Sequence, residues 1–187
     1  GEELYRHKQG VKNSYNQPDA INAIDWTYKT KYKDLVDYYA ALAAIRHAHP
    51  GFCLGDAGLV REKLQFIDTE DPCVVAFRIS GLEGIDSAKS LTVLLNGSKN
   101  QAKVEIPQGD YTVLAKDGQA DAEGLGAFSG NTISANATSA TILAGNCFCH
   151  PERLLPTRTP PAARVPSVIQ SVPLLSRASL CQPERLL

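Results

Sequence analysis

The sequence of 187 residues is long enough for one domain, or for one small domain with part of another. Hydrophobic residues make up 43% of it and charged residues 21%, a balance typical of a globular protein with an apolar core. No stretch approaches the roughly 18 apolar residues of a membrane span, and the net charge of −1 comes without a basic stripe, so we expect neither a membrane nor a nucleic-acid partner.

Residues 6–30 are predicted to form a long surface loop. Asn, Lys, Gln, Asp and Tyr are frequent there, and no apolar period is sustained. Long ordered loops in compact domains often carry function. The run from Asn13 to Trp26 concentrates amide, carboxylate and aromatic side chains, which suit a polyhydroxylated ligand, so this run is the candidate binding site.

A helix is predicted from about Lys33 to His49. Apolar residues recur there at the i, i+3, i+4, i+7 spacing of one buried face, and alanines raise the helix propensity. Pro50 and Gly51 are expected to end the helix, because the residue before a proline is disfavoured in the α region. The spacing places Tyr38 and Tyr39 in the core.

The region 52–144 is predicted to be an all-β antiparallel sandwich. From Gly58 the apolar period changes from 3.6 to 2, and turn residues such as Asn96-Gly97 and Asp117-Gly118 punctuate the strands at short spacing. The aromatic side chains of this region fit core positions; they are Phe66, Phe77, Tyr111 and Phe128.

The last part of the chain, 145–187, is predicted to be disordered. It contains seven of the eleven prolines and several arginines, and it lacks a periodic apolar face. Cys149–Leu155 is echoed by Cys181–Leu187, a near-repeat that suggests read-through or frame-shifted coding sequence rather than a native extension. The chain is therefore divided into 1–51, 52–144 and 145–187.

The five cysteines do not indicate a disulfide framework. Cys53 and Cys73 stand among apolar neighbours and are interpreted as buried thiols, which favours a cytoplasmic protein over a secreted one. The histidines lack convergent partners at metal-ligand spacing, so no metal site is predicted. The absence of Met and the motif that opens directly at Gly1 suggest a chain truncated at its start.

Four sequence blocks follow one another in the order of a known enzyme family. The first matches a Gly-x-Glu-Leu/Phe-x-Arg-x-Lys segment; the second, an Asn/Asp-Ser-Tyr…Asp…Asn…Asp-Trp/Tyr loop. A Tyr-Tyr-x-x-Leu helix ending in His-Pro-x-Phe and an all-β domain complete the series. Over residues 1–144 the chain thus resembles the C-terminal part of bacterial type I pullulanases, which debranch starch and belong to the α-amylase superfamily. The matching residues of the first two blocks are Gly1, Glu3, Leu4, Arg6, Lys8, Asn13, Ser14, Tyr15, Asp19, Asn22, Asp25 and Trp26.

This resemblance implies that residues 1–51 are the end of a (β/α)8 barrel, with a strand remnant, the substrate loop and the last helix. The family hydrolyses α-1,6 linkages in pullulan, amylopectin and limit dextrins with two carboxylates about 5 Å apart. Those carboxylates lie on earlier strands, so this chain is expected to have no catalytic residue and no activity alone. No cofactor is expected, although calcium is possible in the family, and the chain is expected to be a monomer.

The resemblance assigns α-glucan binding to Asn13, Tyr15, Asp19 and Asn22. Trp26 is interpreted as a core anchor of the loop, with stacking on a sugar as the alternative. Glu3 and Arg6 are spaced to form a buried ion pair.

Two other functions remain open on the sequence alone. One is a non-catalytic carbohydrate-binding or structural β-module, which would need exposed aromatic rings. The other is a part of an isoamylase or a glycogen-debranching enzyme, whose corresponding loop takes a different form.

Overall fold

The computed structural model of the chain describes residues 1–147 and 163–164. Within them, 3-10 helices lie at Glu2–Leu4 and Pro50–Cys53, and none of the helices has the length and hydropathy needed to cross a membrane. The helices are α1 (Asp19–Asn22), α2 (Tyr28–Lys31), α3 (Lys33–Ala48) and α4 (Ala57–Lys63). The strands are β1 (Leu64–Ile67), β2 (Val74–Ser80), β3 (Ala88–Asn96), β4 (Ala102–Lys116), β5 (Gln119–Ala120), β6 (Gly126–Ala135), β7 (Ser139–Cys147) and β8 (Ala163–Arg164).

The long helix α3 has nearly its predicted bounds and packs on the β-domain. Ile45, near its C-terminal end, is only 2% exposed and joins the apolar cluster around Ile79 and Leu91. Tyr38 also packs against this cluster, but Tyr39 is exposed, so the prediction of a core position for Tyr39 is wrong. Consecutive helical residues point about 100° apart, so Tyr39 points away from the side of the helix on which Tyr38 and Ile45 meet the β-domain.

The β-domain is one antiparallel sheet, which confirms the predicted all-β antiparallel domain. The strand order is β1-β2-β3-β7-β4-β5-β8, and β6 pairs with β4 outside this path. The long strand β4 pairs with β6 along most of its length, from Ala102 to Val113, and with β7 from Tyr111 to Lys116. The register is irregular in both pairings. The sheet thereby folds over, so that β4 and β6 pack on β2 and β3.

Both faces of the central strand β3 are buried. Leu94 is part of an inner cluster between the folded halves of the sheet, with Val104 and Ile133. Leu91 points to the opposite face, where it joins the cluster beneath α3. Successive side chains of a strand point to opposite faces of the sheet. Because both faces of β3 are covered, its sequence is a nearly continuous apolar run rather than an alternation of apolar and polar residues.

Two local features of the β-domain differ from the sequence predictions. The β-period begins at Leu64 rather than Gly58, because α4 occupies residues 57–63 and is capped by Asp56, whose carboxylate accepts a hydrogen bond from Leu59 N at 2.9 Å. Phe66 is 72% exposed, so its predicted core position is wrong. It lies on the edge strand β1, beyond the part of the sheet that α3 covers.

The last part of the chain is only partly described. β7 continues through residues 145–147, and β8 pairs with β5, so predicted disorder is wrong for these five residues. Gly145 lies between Ser90 and Tyr111 on the neighbouring strands, in a space that a side chain would fill. The remainder of 145–187, including the near-repeat, lies outside the described residues.

The cysteine interpretation is also wrong. Cys53 is a free but exposed thiol, on the short 3-10 helix after α3. Cys73 is only half-buried and is disulfide-bonded. Apolar neighbours in the sequence therefore did not indicate buried thiols.

A buried polar contact joins the end of α3 to the β-domain. The Asp86 side chain is fully buried and accepts hydrogen bonds from His49 Nδ1 at 2.9 Å, Gly51 N at 2.9 Å and Ala88 N at 2.8 Å. Burial raises the pKa of the Asp86 carboxyl, but these hydrogen bonds outweigh it, so the pKa lies below its usual value. A Cβ at Gly51 would come within 2.7 Å of the Leu82 side chain, which is why glycine suits this junction.

Residues 1–51 start with the 3-10 helix Glu2–Leu4 and not with a strand remnant. Their assignment to the end of a (β/α)8 barrel stays a prediction, and so does the division of the chain after residues 51 and 144.

Candidate functional site

The candidate substrate loop is built around a buried serine. The Ser14 hydroxyl accepts a hydrogen bond from Lys8 Nζ, and its carbonyl accepts one from Asn22 Nδ2 at 2.6 Å. Asn22 Nδ2 also donates to Gln17 O at 2.8 Å, so one amide group closes the loop from both sides. The sequence carried no signal for this role, because a serine in a polar loop is usually exposed.

Asn13 and Tyr15 flank this buried serine and both point to solvent. The Tyr15 ring is 84% exposed, and its backbone N–H donates to Asn13 Oδ1 at 3.3 Å. Within the described residues, the Asn13 amide nitrogen and the Tyr15 ring have no partner. Because the backbone of this turn is already held, a ligand that contacts it would have to order only the two side chains.

Asp19 and Asn22 are the first and last residues of α1. Asp19 follows Pro18 and its carboxylate is exposed. Asn22 Nδ2 donates to two loop carbonyls, so Oδ1 is the side-chain atom that remains for a ligand. The loop thus contains all four predicted binding residues, but Asn13 and Asn22 each use part of their amide within the loop, whereas the Tyr15 and Asp19 side chains make no hydrogen bond to another described residue.

The structure corrects two further expectations. Trp26 is 68% exposed, so it does not anchor the loop in the core. The turn is held locally instead, because Asp25 Oδ1 accepts from Thr27 N at 3.0 Å and from Thr27 Oγ1 at 2.6 Å. These hydrogen bonds also hold the pKa of the Asp25 carboxyl below its usual value.

The predicted ion pair between Glu3 and Arg6 is wrong as well. Glu3 pairs with the terminal ammonium of Gly1 at 3.0 Å, a contact that lowers the pKa of its carboxyl. Arg6 turns to the loop and donates through Nη2 to the carbonyl of Asn22. Arg6 thus binds a backbone carbonyl rather than the predicted carboxylate. This hydrogen bond connects the first segment of the chain to the end of α1.

A cleft of about 300 Å³ lies beside this contact. Arg6, His7 and Gln9 form one wall, while residues of α1 and the turn before α2 form the other. Arg6 Nε is buried and has no hydrogen-bond partner among the described residues. Arg6 and Asp25 both belong to the sequence motifs, but their place in the lining of the same cleft became visible only in the folded structure.

The described residues do not show a metal centre. Nowhere among residues 1–147 and 163–164 are three His, Cys, Asp or Glu side chains grouped closely enough to hold a metal ion. The loop offers hydrogen-bond donors, acceptors and an exposed aromatic ring, which is the chemistry of polar ligand recognition.

Comparisons with known proteins find similarity to pullulanases and to an isoamylase. Residues 60–119 match the family model described as the pullulanase all-beta domain. The pullulanase of Bacillus subtilis (strain 168) is 33% identical over 107 residues, which are 57% of this chain and 15% of that protein. An isoamylase of Flavobacterium sp is 29% identical over 126 residues and is covered to 16% of its length.

Solved structures agree with this relationship. The pullulanase from Bacillus acidopullulyticus superposes with a TM-score of 0.68 and 31% identity, over 77% of this chain and 18% of that one. The type I pullulanase of Bacillus subtilis str. 168, solved in complex with maltose, superposes with a TM-score of 0.67 and 28% identity, over 76% and 20%. The chain thus spans between 15% and 20% of the length of these relatives, and the resemblance to pullulanases predicted from the sequence is confirmed.

Proposed function

We propose, on the basis of this relationship to bacterial pullulanases, that the chain is part of a starch-debranching glycoside hydrolase and carries a glucan-binding loop. The observation that supports this most directly is the held loop with exposed Asn13 and Tyr15. The related pullulanase of Bacillus subtilis was solved with maltose, an α-linked glucose disaccharide. The proposed ligand is an α-glucan.

The proposed reaction of the whole enzyme is hydrolysis of α-1,6-glucosidic linkages in pullulan, amylopectin and limit dextrins. Such chemistry needs a nucleophilic carboxylate and an acid about 5 Å apart, one attacking the anomeric carbon and the other protonating the departing oxygen. We place neither of them in this chain. Its contribution is to hold the glucan, and the purified chain should release no reducing ends from pullulan.

The loop residues have distinct proposed roles. The Tyr15 ring offers a flat apolar face to the C–H groups of a glucose ring, and its phenol can make one polar bond. The Asn13 amide can donate to one hydroxyl and accept from another. Asp19 adds an exposed carboxylate acceptor, while Asn22 contributes mainly by keeping Ser14 and Gln17 in place.

Titration of the isotope-labelled chain with maltotriose, followed by amide chemical shifts, tests this proposal. We expect shifts in residues 13–22, and a loss of affinity of about tenfold in Tyr15→Ala. Phe66→Ala is the matched control, because Phe66 is also a highly exposed aromatic residue, on the β-domain. Unchanged binding by Tyr15→Ala would contradict the loop proposal.

One observation supports a second candidate, a carbohydrate-binding β-module. The exposed Phe66 ring meets Phe77 edge-on at a centroid distance of 6.2 Å, which makes a small aromatic surface on the sheet. A module of this kind would lose glucan binding in Phe66→Ala and keep it in Tyr15→Ala. The same titration therefore separates the two functions.

A further inference from the structure

We propose that Asn96-Gly97 is a site of spontaneous deamidation, which the folded β-domain blocks and which an opened chain undergoes with water as the co-reactant. This dipeptide is the single Asn-Gly of the sequence. Asn96 is the last residue of β3 and a buried polar residue, only 4% exposed. The inference concerns the β-domain and does not depend on the proposed glucan-binding function.

Deamidation joins two atoms of this dipeptide. The backbone nitrogen of Gly97 attacks Cγ of Asn96, the bond from Cγ to Nδ2 breaks, and Nδ2 leaves as ammonia with the proton that Gly97 gives up. Water then adds to either carbonyl of the resulting succinimide ring, which leaves aspartate or isoaspartate in place of asparagine. Glycine favours the attack, because it has no side chain to hinder the reacting nitrogen.

The first argument is that the fold uses both polar atoms of the Asn96 amide. Nδ2 donates to three backbone carbonyls, those of Asn100 at 2.7 Å, Asn136 at 2.9 Å and Ala135 at 3.2 Å. Oδ1 accepts a hydrogen bond from Ser98 N at 2.9 Å. This side chain therefore connects the turn after β3 with the turn between β6 and β7.

The second argument is that the attacking nitrogen is already engaged. Gly97 N donates to the carbonyl of Cys73, just before β2, at 2.9 Å. The attack requires this nitrogen to lose its proton and the Asn96 side chain to rotate towards it, so the hydrogen bonds of both groups must break first. The folded turn therefore suppresses the reaction, and local opening permits it.

The third argument explains why a labile dipeptide lies at this position. A Cβ at Gly97 would come within 3.1 Å of the Cys73 carbonyl oxygen, which is closer than an ordinary van der Waals contact. Glycine thus allows the close approach to β2, and the asparagine amide supplies the donor for the three carbonyls. The two requirements of the packing together produce the Asn-Gly pair.

Deamidation of an opened chain should prevent its return to the fold. A carboxylate in place of the Asn96 amide has no donor for the three carbonyls, and its charge would be buried against them. Isoaspartate would also add a carbon to the backbone where Asn96 pairs with Val74 and Ser139. A transient opening of the turn would thereby become a permanent loss of the β-domain.

The first test compares deamidation of the full chain in buffer and in guanidinium chloride at mildly alkaline pH. No reductant is added, so that the disulfide of Cys73 is retained. Peptide mass spectrometry follows Asn96, and we expect it to react at least about a hundredfold more slowly in the folded chain. Gly97→Ala is the control for the chemistry and should strongly slow the reaction in guanidinium chloride. Equal rates in the folded and the unfolded chain would overturn the proposal.

The second test asks whether the product can fold. Asn96→Asp should raise the equilibrium constant of unfolding about a hundredfold or more, because it buries a charge without a partner. Asn100→Asp is the matched control in the same turn and should change this constant less than about twofold. Asn100 is exposed, and among the described residues only its backbone takes part in hydrogen bonds. A similar stability of the two variants would contradict the proposal.

Refolding after storage in guanidinium chloride keeps the proposal testable if Asn96→Asp does not fold. The refolded fraction, relative to a freshly unfolded sample, should fall in proportion to the deamidated fraction. Gly97→Ala should keep its refolded fraction over the same period. Full refolding of deamidated chains, or an equal decline in Gly97→Ala, would overturn the proposal.

Discussion

The β-domain and the loop segment before α3 are stabilised by different forces. The β-domain buries two apolar clusters, one inside the folded sheet and one beneath α3. The segment 1–32 has few fully buried side chains and depends on single polar contacts such as Lys8 to Ser14 and Arg6 to Asn22. Apolar burial adds up over a large area, whereas a polar loop depends on particular atoms. A substitution should therefore act globally in the first region and locally in the second.

A buried polar contact joins the end of α3, the helix that follows the loop segment, to the β-domain. His49, at the end of α3, and Asp86, in the loop between β2 and β3, form a buried pair that the amides of Gly51 and Ala88 complete. Ile45 adds the apolar part of the same interface. This polar pair and the apolar contact of Ile45 together attach α3 to the β-domain.

The largest expected effect is the loss of an inner-cluster side chain. Leu94→Ala removes a fully buried leucine and should lower the free energy of unfolding by about 2 to 5 kcal/mol. Leu95→Ala, one position along the same strand at a side chain that is 44% exposed, should cost clearly less, about 1 kcal/mol. Urea unfolding followed by far-UV circular dichroism measures both. Similar losses in the two variants would show that the β-domain does not depend on its inner cluster.

A smaller effect is expected at the junction. Asp86→Asn places an NH₂ group or a weaker acceptor against three donors and should cost about 1.5 to 3 kcal/mol of unfolding free energy. Asp37→Asn is the control, because Asp37 pairs with Lys33 on the exposed side of α3 and should contribute less than about 0.5 kcal/mol. Thermal or urea unfolding at neutral pH compares the two.

The same pair predicts a pH dependence. Because the folded-state pKa of Asp86 lies below its usual value, the unfolded chain takes up the proton first as the pH falls. The contribution of Asp86 is therefore complete above the unfolded pKa of about 4 and is lost as the pH falls through the folded pKa. Asp86→Asn should show a weaker loss of stability below about pH 4. An identical acid limb in both proteins would contradict this assignment.

The smallest effect is expected in the loop. Asn22→Ala removes the amide that holds the carbonyls of Ser14 and Gln17, a change of about 1 kcal/mol that should accelerate amide exchange in residues 14–22 about fivefold. The β-domain should keep its exchange rates. Asn16→Ala, in the same loop but exposed, is the control. Equal acceleration by both variants, or acceleration throughout the sheet, would contradict the comparison of the two regions.

Much of the fold was predictable because its signals are local. The i, i+3, i+4 spacing between residues 33 and 49 and the alternation after Leu64 report which face of each element is apolar. The same alternation does not report whether that face is covered. Phe66 and Tyr111 have similar patterns around them, yet one is exposed on an edge strand and the other packs inside the sheet.

The candidate site was predictable in composition but not in arrangement. The sequence pointed to Asn13, Tyr15, Asp19 and Asn22, and their roles in glucan binding stay proposals. It did not indicate that Ser14 is buried or that Asn22 closes the loop, since both facts depend on hydrogen bonds between residues several positions apart. The sequence also predicted an ion pair between Arg6 and Glu3, whereas in the structure Arg6 donates a hydrogen bond to the carbonyl of Asn22.

By itself, the sequence determined the type of each main element, the antiparallel β-domain and the family resemblance, because apolar periodicity and motif spacing are written along the chain. Only the tertiary structure decided the exposure of Phe66 and Trp26, the buried pair of His49 and Asp86, and the cleft beside Arg6. Each of these depends on which distant segments approach one another, and burial and hydrogen bonding are properties of that approach rather than of any single stretch of sequence.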